Sequence, residues 1–219
     1  ESAGGLRHPV EAIAKALKEI NPNIMIIADG ITAVGVEKID ITHIDCLIAG
    51  SQKALMLPPG LAILGLSNMA IEKIGKGKGY YFNLATEIKS QRKNTTAWTA
   101  ATTLTIGLLE ILETIEKNGG LDKLYEETAT RANAVTSALQ AIGLHIYPKT
   151  PALSMTTIDD ENASQIRKIL KTDFSVNVAG GQDHLEGKIF RINQMGLIAP
   201  YEISWVVNSV ELALAKLGR

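Results

Sequence analysis

Two polar residues follow two strand-like apolar segments near the beginning of the chain. Asp29 ends the segment IMIIAD, and Lys53 comes shortly after the segment CLIAGS. In open α/β sheets ligands collect outside the carboxyl ends of strands, where both side chains would lie. A carboxylate and an amine at that edge suit a small molecule that needs a cation held at one side and a carbonyl group captured at the other.

Pyridoxal phosphate meets this demand. Its aldehyde forms a Schiff base with a lysine, and its pyridine nitrogen is kept protonated by an acidic partner. Position alone leaves two ordinary alternatives open. A lysine after an apolar strand is commonly a solvated loop residue, and an aspartate after a strand is commonly a helix N-cap or a turn residue.

The sequence around both residues matches the motifs of a known family. The segment GSQKALMLPPGLAILGLS, which contains Lys53, resembles the lysine segment of the class V aminotransferases. Within that family it resembles the alanine–glyoxylate and serine–pyruvate aminotransferase group, with its soluble hydrogenase subunit relatives. The segment DGITAVG places Asp29 where that family has its pyridinium-binding aspartate. The two motifs occur in the right order and spacing, and the resemblance extends over essentially all 219 residues.

The resemblance implies a fold type I enzyme that depends on pyridoxal phosphate. It makes Lys53 the Schiff-base lysine and the acid and base for the substrate's Cα proton, and it makes Asp29 the partner of the pyridinium nitrogen. Ser51 and Gln52 are expected to bind the phosphate or the hydroxyl of the cofactor, with a strand-end hydrogen bond as the alternative for Ser51. Ile31 is expected to pack under the ring, although a simple core position predicts the same residue type.

More distant segments add further expected contacts. Ser2 lies in the loop ESAGGLRHP, which is near the cofactor in the family. Thr99 and Thr96 lie in a segment that in the family touches the cofactor phosphate of the neighbouring subunit, so a homodimer is expected. Arg191, in GKIFRINQMG, is expected to bind the substrate's α-carboxylate, since a guanidinium can form two parallel hydrogen bonds with a carboxylate. A position on the polar face of a strand is the alternative for this arginine.

The apolar pattern predicts how these residues are positioned. Helical spacing from Val10 to Ile20, followed by the strand-like segments IMIIAD, CLIAGS and LAILGLS, predicts an α/β domain. The resemblance implies part of a large domain whose mostly parallel sheet has helices on both faces. We expect the sheet to be mixed or locally antiparallel near Lys53.

The rest of the chain predicts a second domain. A long helix over residues 100–117 ends at Asn118-Gly119-Gly120, and the order αββαββα that follows indicates a compact α+β domain with an antiparallel sheet. Residues 1–118 are therefore expected to belong to the large domain and residues 119–219 to the small domain.

Composition limits the classes of partner. The net charge is −1 and the sequence pI is about 6.5, which gives no basic surface for nucleic acid. No apolar run reaches the length of a membrane span, and the four histidines do not have metal-ligand spacing. The single Cys46 fits a reducing cytoplasm.

Because the chain opens on ESAGG in mid-motif, we expect it to be the C-terminal part of a longer protein.

The expected activity is transamination between a small L-amino acid, alanine or serine, and a 2-oxo acid, glyoxylate or pyruvate. A lyase or cysteine desulfurase of the same fold is one alternative, but a desulfurase needs a nucleophilic cysteine on a mobile loop, and Cys46 begins a strand. A non-catalytic fragment is the other alternative. In the family an N-terminal part supplies the aromatic residue that stacks on the ring and a glycine-rich phosphate loop, so the chain is expected to be inactive without that part.

Overall fold

The computed structural model of the chain describes residues 3 to 219 and divides into two compact units. The lysine unit, named for Lys53, comprises Pro9–Ile31 and Ile39–Glu113. The C-terminal unit comprises the described residues up to His8, then Thr32–Lys38 and Thr114–Arg219. The domain boundary expected between residues 118 and 119 stays a prediction.

The lysine unit contains a three-stranded mixed sheet. Its strands are β1 (Ile27–Asp29), β2 (Cys46–Gly50) and β3 (Ala62–Leu66), and its helices are α1 (Val10–Ile20), α2 (Asn68–Ile74) and α3 (Leu84–Gln91). Helix α4 (Thr102–Lys117) begins in this unit. β1 pairs with β2 in parallel, and β2 pairs with β3 in antiparallel orientation. The expected antiparallel pairing near Lys53 is therefore present.

Helix α3 is an element that apolar periodicity does not predict. None of its residues is buried, and its three apolar residues Leu84, Ala85 and Ile88 are too few to mark a helix in the sequence. The side chain of Asn83 caps its first turn by accepting a hydrogen bond from the Thr86 N–H at 3.2 Å. Within the helix, Gln91 donates to Glu87 at 2.9 Å. Local hydrogen bonds rather than a buried face therefore stabilise this helix.

Asp45 connects four elements of the lysine unit from a buried position just before β2. Its Oδ2 accepts hydrogen bonds from Lys18 Nζ of α1 at 2.6 Å and from the Ile26 N–H at 2.9 Å. Its Oδ1 accepts from the hydroxyl of Ser67 at 2.9 Å, and that hydroxyl also caps α2. Burial disfavours the charged carboxylate, but the hydrogen bonds from Lys18, Ile26 and Ser67 outweigh it and hold the pKa of Asp45 below its ordinary value.

The C-terminal unit contains a four-stranded antiparallel sheet in the order β4-β5-β7-β6. Its elements are α5 (Gly120–Ala141), β4 (His145–Ile146), β5 (Met155–Asp159), α6 (Ala163–Phe174), β6 (Ala179–Gly180), β7 (Ile189–Asn193) and α7 (Pro200–Lys216). This is the predicted order αββαββα. Buried side chains of α5, α6 and α7 pack against β5 and β7 in one core, which includes Val135, Ile166, Val210, Ile158 and Phe190. The helices therefore cover one face of the sheet.

The described residues were compared with the requirements of a membrane span and of a metal site. Across residues 3–219, no helix combines the length and the apolar character that a membrane crossing requires. In the same range, no three acidic, histidine or cysteine side chains form a group that could hold a metal ion. Ser2, expected near the cofactor, lies outside the described residues.

The Asp45 network predicts a large effect of one substitution on stability. Asp45→Asn removes the negative charge and leaves the largely buried ammonium of Lys18 without its ion-pair partner. We expect the free energy of unfolding, measured by urea denaturation, to fall by roughly 3 kcal/mol. Glu72→Gln on the exposed surface of α2 is the matched control and should change it by less than about 0.5 kcal/mol.

The same comparison has a defined pH dependence. Because the folded-state pKa of Asp45 is lowered, its ionisation stabilises the fold above the unfolded-state pKa of about 3.9, and this stabilisation disappears as the pH falls through the folded-state pKa. The stability difference between wild type and Asp45→Asn should therefore shrink on acidification below about pH 4. A difference that is constant from neutral to acidic pH would contradict the charged network.

Candidate active site

The carboxyl ends of β1 and β2 meet at one edge of the sheet. Asp29, the last residue of β1, lies opposite Ile48 of β2, and the Gly30 N–H continues the ladder by donating to Ile48 O at 2.9 Å. Neighbouring strands of a sheet are about 4.8 Å apart. Lys53 follows the end of β2 by three residues. The structure therefore brings Asp29 and the segment that carries Lys53 to the same edge.

Asp29 is exposed at this edge and is partly engaged by its own turn. Its Oδ1 accepts a hydrogen bond from the Ile31 N–H at 2.9 Å. Asp29 is therefore a turn residue, which is one of the alternatives that its position in the sequence allows. Within residues 3–219, its Oδ2 has no hydrogen-bond partner. Ile31 is half-buried beside it. One carboxylate oxygen thus fixes the side chain, and the other can accept a hydrogen bond from a cationic group.

Ser51 ties the loop after β2 together at its base. The residue is completely buried. Its hydroxyl donates to Pro58 O at 2.8 Å and accepts from the Leu61 N–H at 3.2 Å. Its backbone N–H donates to Leu61 O at 3.1 Å, and its carbonyl accepts from the Leu57 N–H at 3.0 Å. This is the strand-end hydrogen bonding that the sequence offered as the alternative, and a contact of Ser51 with a cofactor stays a prediction.

Lys53 lies within the loop that Ser51 closes. The carbonyl of Lys53 accepts from the Met56 N–H at 2.9 Å, which makes a tight turn, and Met56 has a φ of 57°. The following residues Ala54 and Leu55 are buried and anchor the turn. Lys53 itself is half-buried, and in the described part of the chain its Nζ has no partner. The backbone at the lysine is thus fixed while its amine remains available.

Gln52 is exposed, and its side chain folds back over Gly50. A Cβ added to Gly50 would lie 2.7 Å from Gln52 Oε1, so only a glycine leaves room for this conformation. Gln52 is therefore at the same sheet edge as Lys53, with its amide next to Gly50. Its expected contact with a cofactor stays a prediction.

Thr96 and Thr99 lie beside an exposed aromatic group. The Thr96 hydroxyl donates to Trp98 O at 2.6 Å, and Thr99 is exposed. The rings of Tyr80 and Tyr81 contact Trp98 at centroid distances of 5.0 and 5.2 Å. The indole N–H of Trp98 is buried without a hydrogen-bond partner among residues 3–219. The segment is thus ordered around Trp98, and it presents Thr99 at its surface.

Arg191 lies in the C-terminal unit at the centre of β7. It is half-buried, and its Nε donates to Gly180 O of the neighbouring strand β6 at 3.0 Å. Burial lowers the pKa of its guanidinium, and the nearby charge of Arg167 lowers it further. Arg191 is thus half-buried and hydrogen-bonded to its neighbouring strand, and its expected contact with a substrate carboxylate stays a prediction.

The structural role of Asp45 in the lysine unit could not be predicted from the sequence. The segment VEKIDITHID has acidic and basic residues among apolar ones, which is typical of a surface connection, yet its last residue is buried and makes the ion pair with Lys18. The partners of Asp45 are 27 and 22 residues away in sequence. No local pattern signals a contact of that range.

Comparison with solved structures defines the class of protein. The chain superposes on a Thermus thermophilus aspartate aminotransferase of subgroup IV with a TM-score of 0.91 and 29% identity, covering 99% of this chain and 62% of that one. The chain therefore has the fold of the type I aminotransferases, as expected from its sequence. The family model of the class V aminotransferases matches residues 1–196, and the chain belongs to that family.

Two relatives illustrate the range of similarity. An uncharacterized aminotransferase of Helicobacter pylori is 50% identical over 218 residues, which is 99% of this chain and 59% of the relative. A serine–glyoxylate aminotransferase of Hyphomicrobium methylovorum is 29% identical over 232 aligned positions, with 100% of this chain and 56% of the relative covered. The chain thus spans less than two thirds of the length of the relatives it matches.

The Ser51 hydrogen bonds predict a measurable cost of removing one hydroxyl. Ser51→Ala removes the buried hydroxyl that binds the Leu61 N–H and Pro58 O and leaves both of these part-buried groups without it. We expect the free energy of unfolding to fall by about 1–3 kcal/mol in urea denaturation. Thr95→Ala, which removes an exposed hydroxyl of the lysine unit, is the control and should be neutral. Equal stability of Ser51→Ala and wild type would show that Ser51 does not hold the loop.

Proposed function

We propose that this chain is the C-terminal part of a pyridoxal phosphate-dependent aminotransferase that moves the amino group of a small L-amino acid, alanine or serine, to glyoxylate or pyruvate. The observation that carries the proposal is the placement of Asp29 and the Lys53 loop at the carboxyl ends of two neighbouring parallel strands. Membership of the class V aminotransferase family supports the reaction type. The similarity to a serine–glyoxylate aminotransferase supports the choice of substrates.

The described residues fit the proposed cofactor. Pyridoxal phosphate requires an amine for its aldehyde and an acidic partner for its pyridine nitrogen. At this sheet edge Lys53 Nζ and Asp29 Oδ2 are both without partners within residues 3–219, while the atoms around them are held by their own hydrogen bonds. The site therefore offers the two required groups on a fixed backbone.

Each side chain has a defined task in this proposal. When bound, pyridoxal phosphate supplies an electron sink for the negative charge that develops at the substrate's Cα. Lys53 Nζ would hold the cofactor through its aldehyde group, and its free amine would accept the proton from the donor's Cα and supply a proton to the Cα of the acceptor. Asp29 Oδ2 keeps the proton on the pyridine nitrogen. Arg191 binds the substrate's α-carboxylate through its guanidinium.

The remaining predicted contacts belong to the same proposal. Gln52 and Ser51 would bind the phosphate or the hydroxyl of the cofactor, and Ile31 would pack under its ring. Thr99 and Thr96 would reach the phosphate in the neighbouring subunit of a homodimer. An exposed aromatic surface near these threonines supports a subunit contact, since Tyr80 and Phe82 are 85% and 88% exposed. A cytoplasmic location is also proposed, with support from the free thiol of Cys46.

A cysteine desulfurase of the same fold is disfavoured by the position of Cys46. The residue is buried in β2, paired with strands on both sides, and burial raises the pKa of its thiol. A desulfurase nucleophile needs access to the substrate and a thiolate at neutral pH. The only cysteine of the chain has neither property.

The proposal predicts that one lysine is required for turnover. With pyridoxal phosphate, L-alanine or L-serine and glyoxylate, we expect the full-length protein, which contains this chain and the N-terminal part, to form glycine, measured by amino acid analysis. Lys53→Ala should lower the rate by at least about 10²-fold, because the acid and base for the Cα proton is lost. Asp29→Asn should also lower it, since an amide does not keep the pyridine nitrogen charged.

Lys93→Ala is the matched control, because it removes an exposed lysine of the lysine unit and should leave the rate unchanged. Glycine formation that survives in Lys53→Ala would contradict the assignment of the lysine. No glycine formation by the wild-type protein with any of these substrates would favour the alternative of a non-catalytic chain.

A further inference from the structure

Two arginines hold the same short strand of the C-terminal unit. Strand β6 has only two residues, and it pairs with β7 on one side. Arg191 of β7 donates from its Nε to Gly180 O at 3.0 Å. Arg167 of α6 donates from its Nε to Val178 O, just before β6, at 3.2 Å. The backbone of one segment thus accepts hydrogen bonds from both guanidinium groups.

The two arginines approach β6 from opposite faces of the sheet. Phe190, opposite Gly180, is part of the core that the helices cover. Because successive side chains of a strand point to opposite faces, Arg191 points away from the helices. Arg167 comes from the helical side, since a Cβ added to Gly180 on that side would lie 2.5 Å from its Nη1. Strand β6 therefore lies between the two side chains.

Strand β6 depends on such contacts for its position. A two-residue edge strand has few ladder hydrogen bonds of its own. The next residue, Gly181, is in close contact with the loop that follows, since a Cβ there would lie 2.1 Å from Leu185 O. A shift of β6 would move Gly180 O, and the anchor of the Arg191 Nε would move with it. The orientation of the Arg191 guanidinium is thus tied to the place of β6.

We propose that Arg167 is a positioning residue for the substrate carboxylate site. It holds Val178 and Gly180 so that Gly180 O fixes the Nε of Arg191, and this sets the direction of the Nη atoms that bind the carboxylate. A correctly oriented guanidinium binds a carboxylate through two parallel hydrogen bonds, and a rotated one loses at least one of them. The inference rests on the proposed role of Arg191 in binding the α-carboxylate.

The kinetic test compares substrate affinity with turnover. Arg167→Gln in the full-length protein should raise the KM for L-alanine or L-serine roughly tenfold and change kcat by less than about threefold, because the carboxylate contact is weakened while Lys53 and Asp29 are untouched. Arg167→Lys keeps the positive charge and places a donor one atom beyond the Nε position, so it should recover part of the wild-type KM. Lys168→Gln, an exposed neighbour on α6, is the matched control and should behave as wild type.

Gly180→Ala is a second, independent variant. Its methyl group displaces the guanidinium of Arg167 without changing either arginine, and it should raise the KM in the same direction. A wild-type KM in both Arg167→Gln and Gly180→Ala would overturn the proposal. A fall in kcat at unchanged KM would overturn it as well.

A nitrogen NMR measurement tests the positioning without any turnover. In the wild-type protein the Nε–H of Arg191 is bonded to Gly180 O, so its exchange with solvent should be slow. Arg167→Gln should speed this exchange roughly tenfold as the bond opens more often. An unchanged exchange rate would contradict the inference. Faster exchange in a protein that does not transaminate would reject the proposed function but retain the role of Arg167 in positioning Arg191.

Discussion

The register of β1 against β2 is the constraint on which the candidate site depends, and the buried carboxylate of Asp45 sets it. Asp45 accepts from the Ile26 N–H through its side chain, while the N–H groups of Asp45 and Cys46 both donate to Ile26 O. This clamp at the start of the two strands fixes which residues meet at their ends. Because side chains alternate along a strand, a slip of one residue would turn Asp29 to the other face of the sheet.

The carboxyl end of β2 is fixed by the hydrogen bonds and packing of the loop that follows it. A buried serine closes the loop at its base, a tight turn carries the lysine, and two buried apolar residues hold that turn in place. The loop's backbone and the Ser51 hydroxyl form hydrogen bonds with each other, and within the described part of the chain the amine of Lys53 has no hydrogen-bond partner. A site that must present one reactive amine at a defined position needs a backbone with this kind of independent support.

The parts of the fold that the sequence predicts are those with a local signal. The strands around Lys53 have continuous apolar runs, and the motifs DGITAVG and SQKAL place Asp29 and Lys53 at their ends. Helix α3 has no buried face, so no periodicity marks it. Asp45 binds a lysine that is distant in sequence, and Arg167 binds a backbone carbonyl. Neither contact can be predicted from the spacing of residue types. For Ser51 the sequence offered two roles, and only the coordinates reveal that its hydroxyl is used inside the loop.

Borohydride reduction of the full-length protein with pyridoxal phosphate, followed by peptide mapping, shows whether Lys53 is the amine that holds the cofactor. Reduction makes the link between the cofactor and its lysine permanent, and the labelled peptide identifies the residue. We expect a single labelled peptide that contains Lys53, and prior addition of L-alanine or L-serine should prevent the labelling. A label spread over exposed lysines such as Lys76 and Lys78, or no label at all, would contradict this expectation.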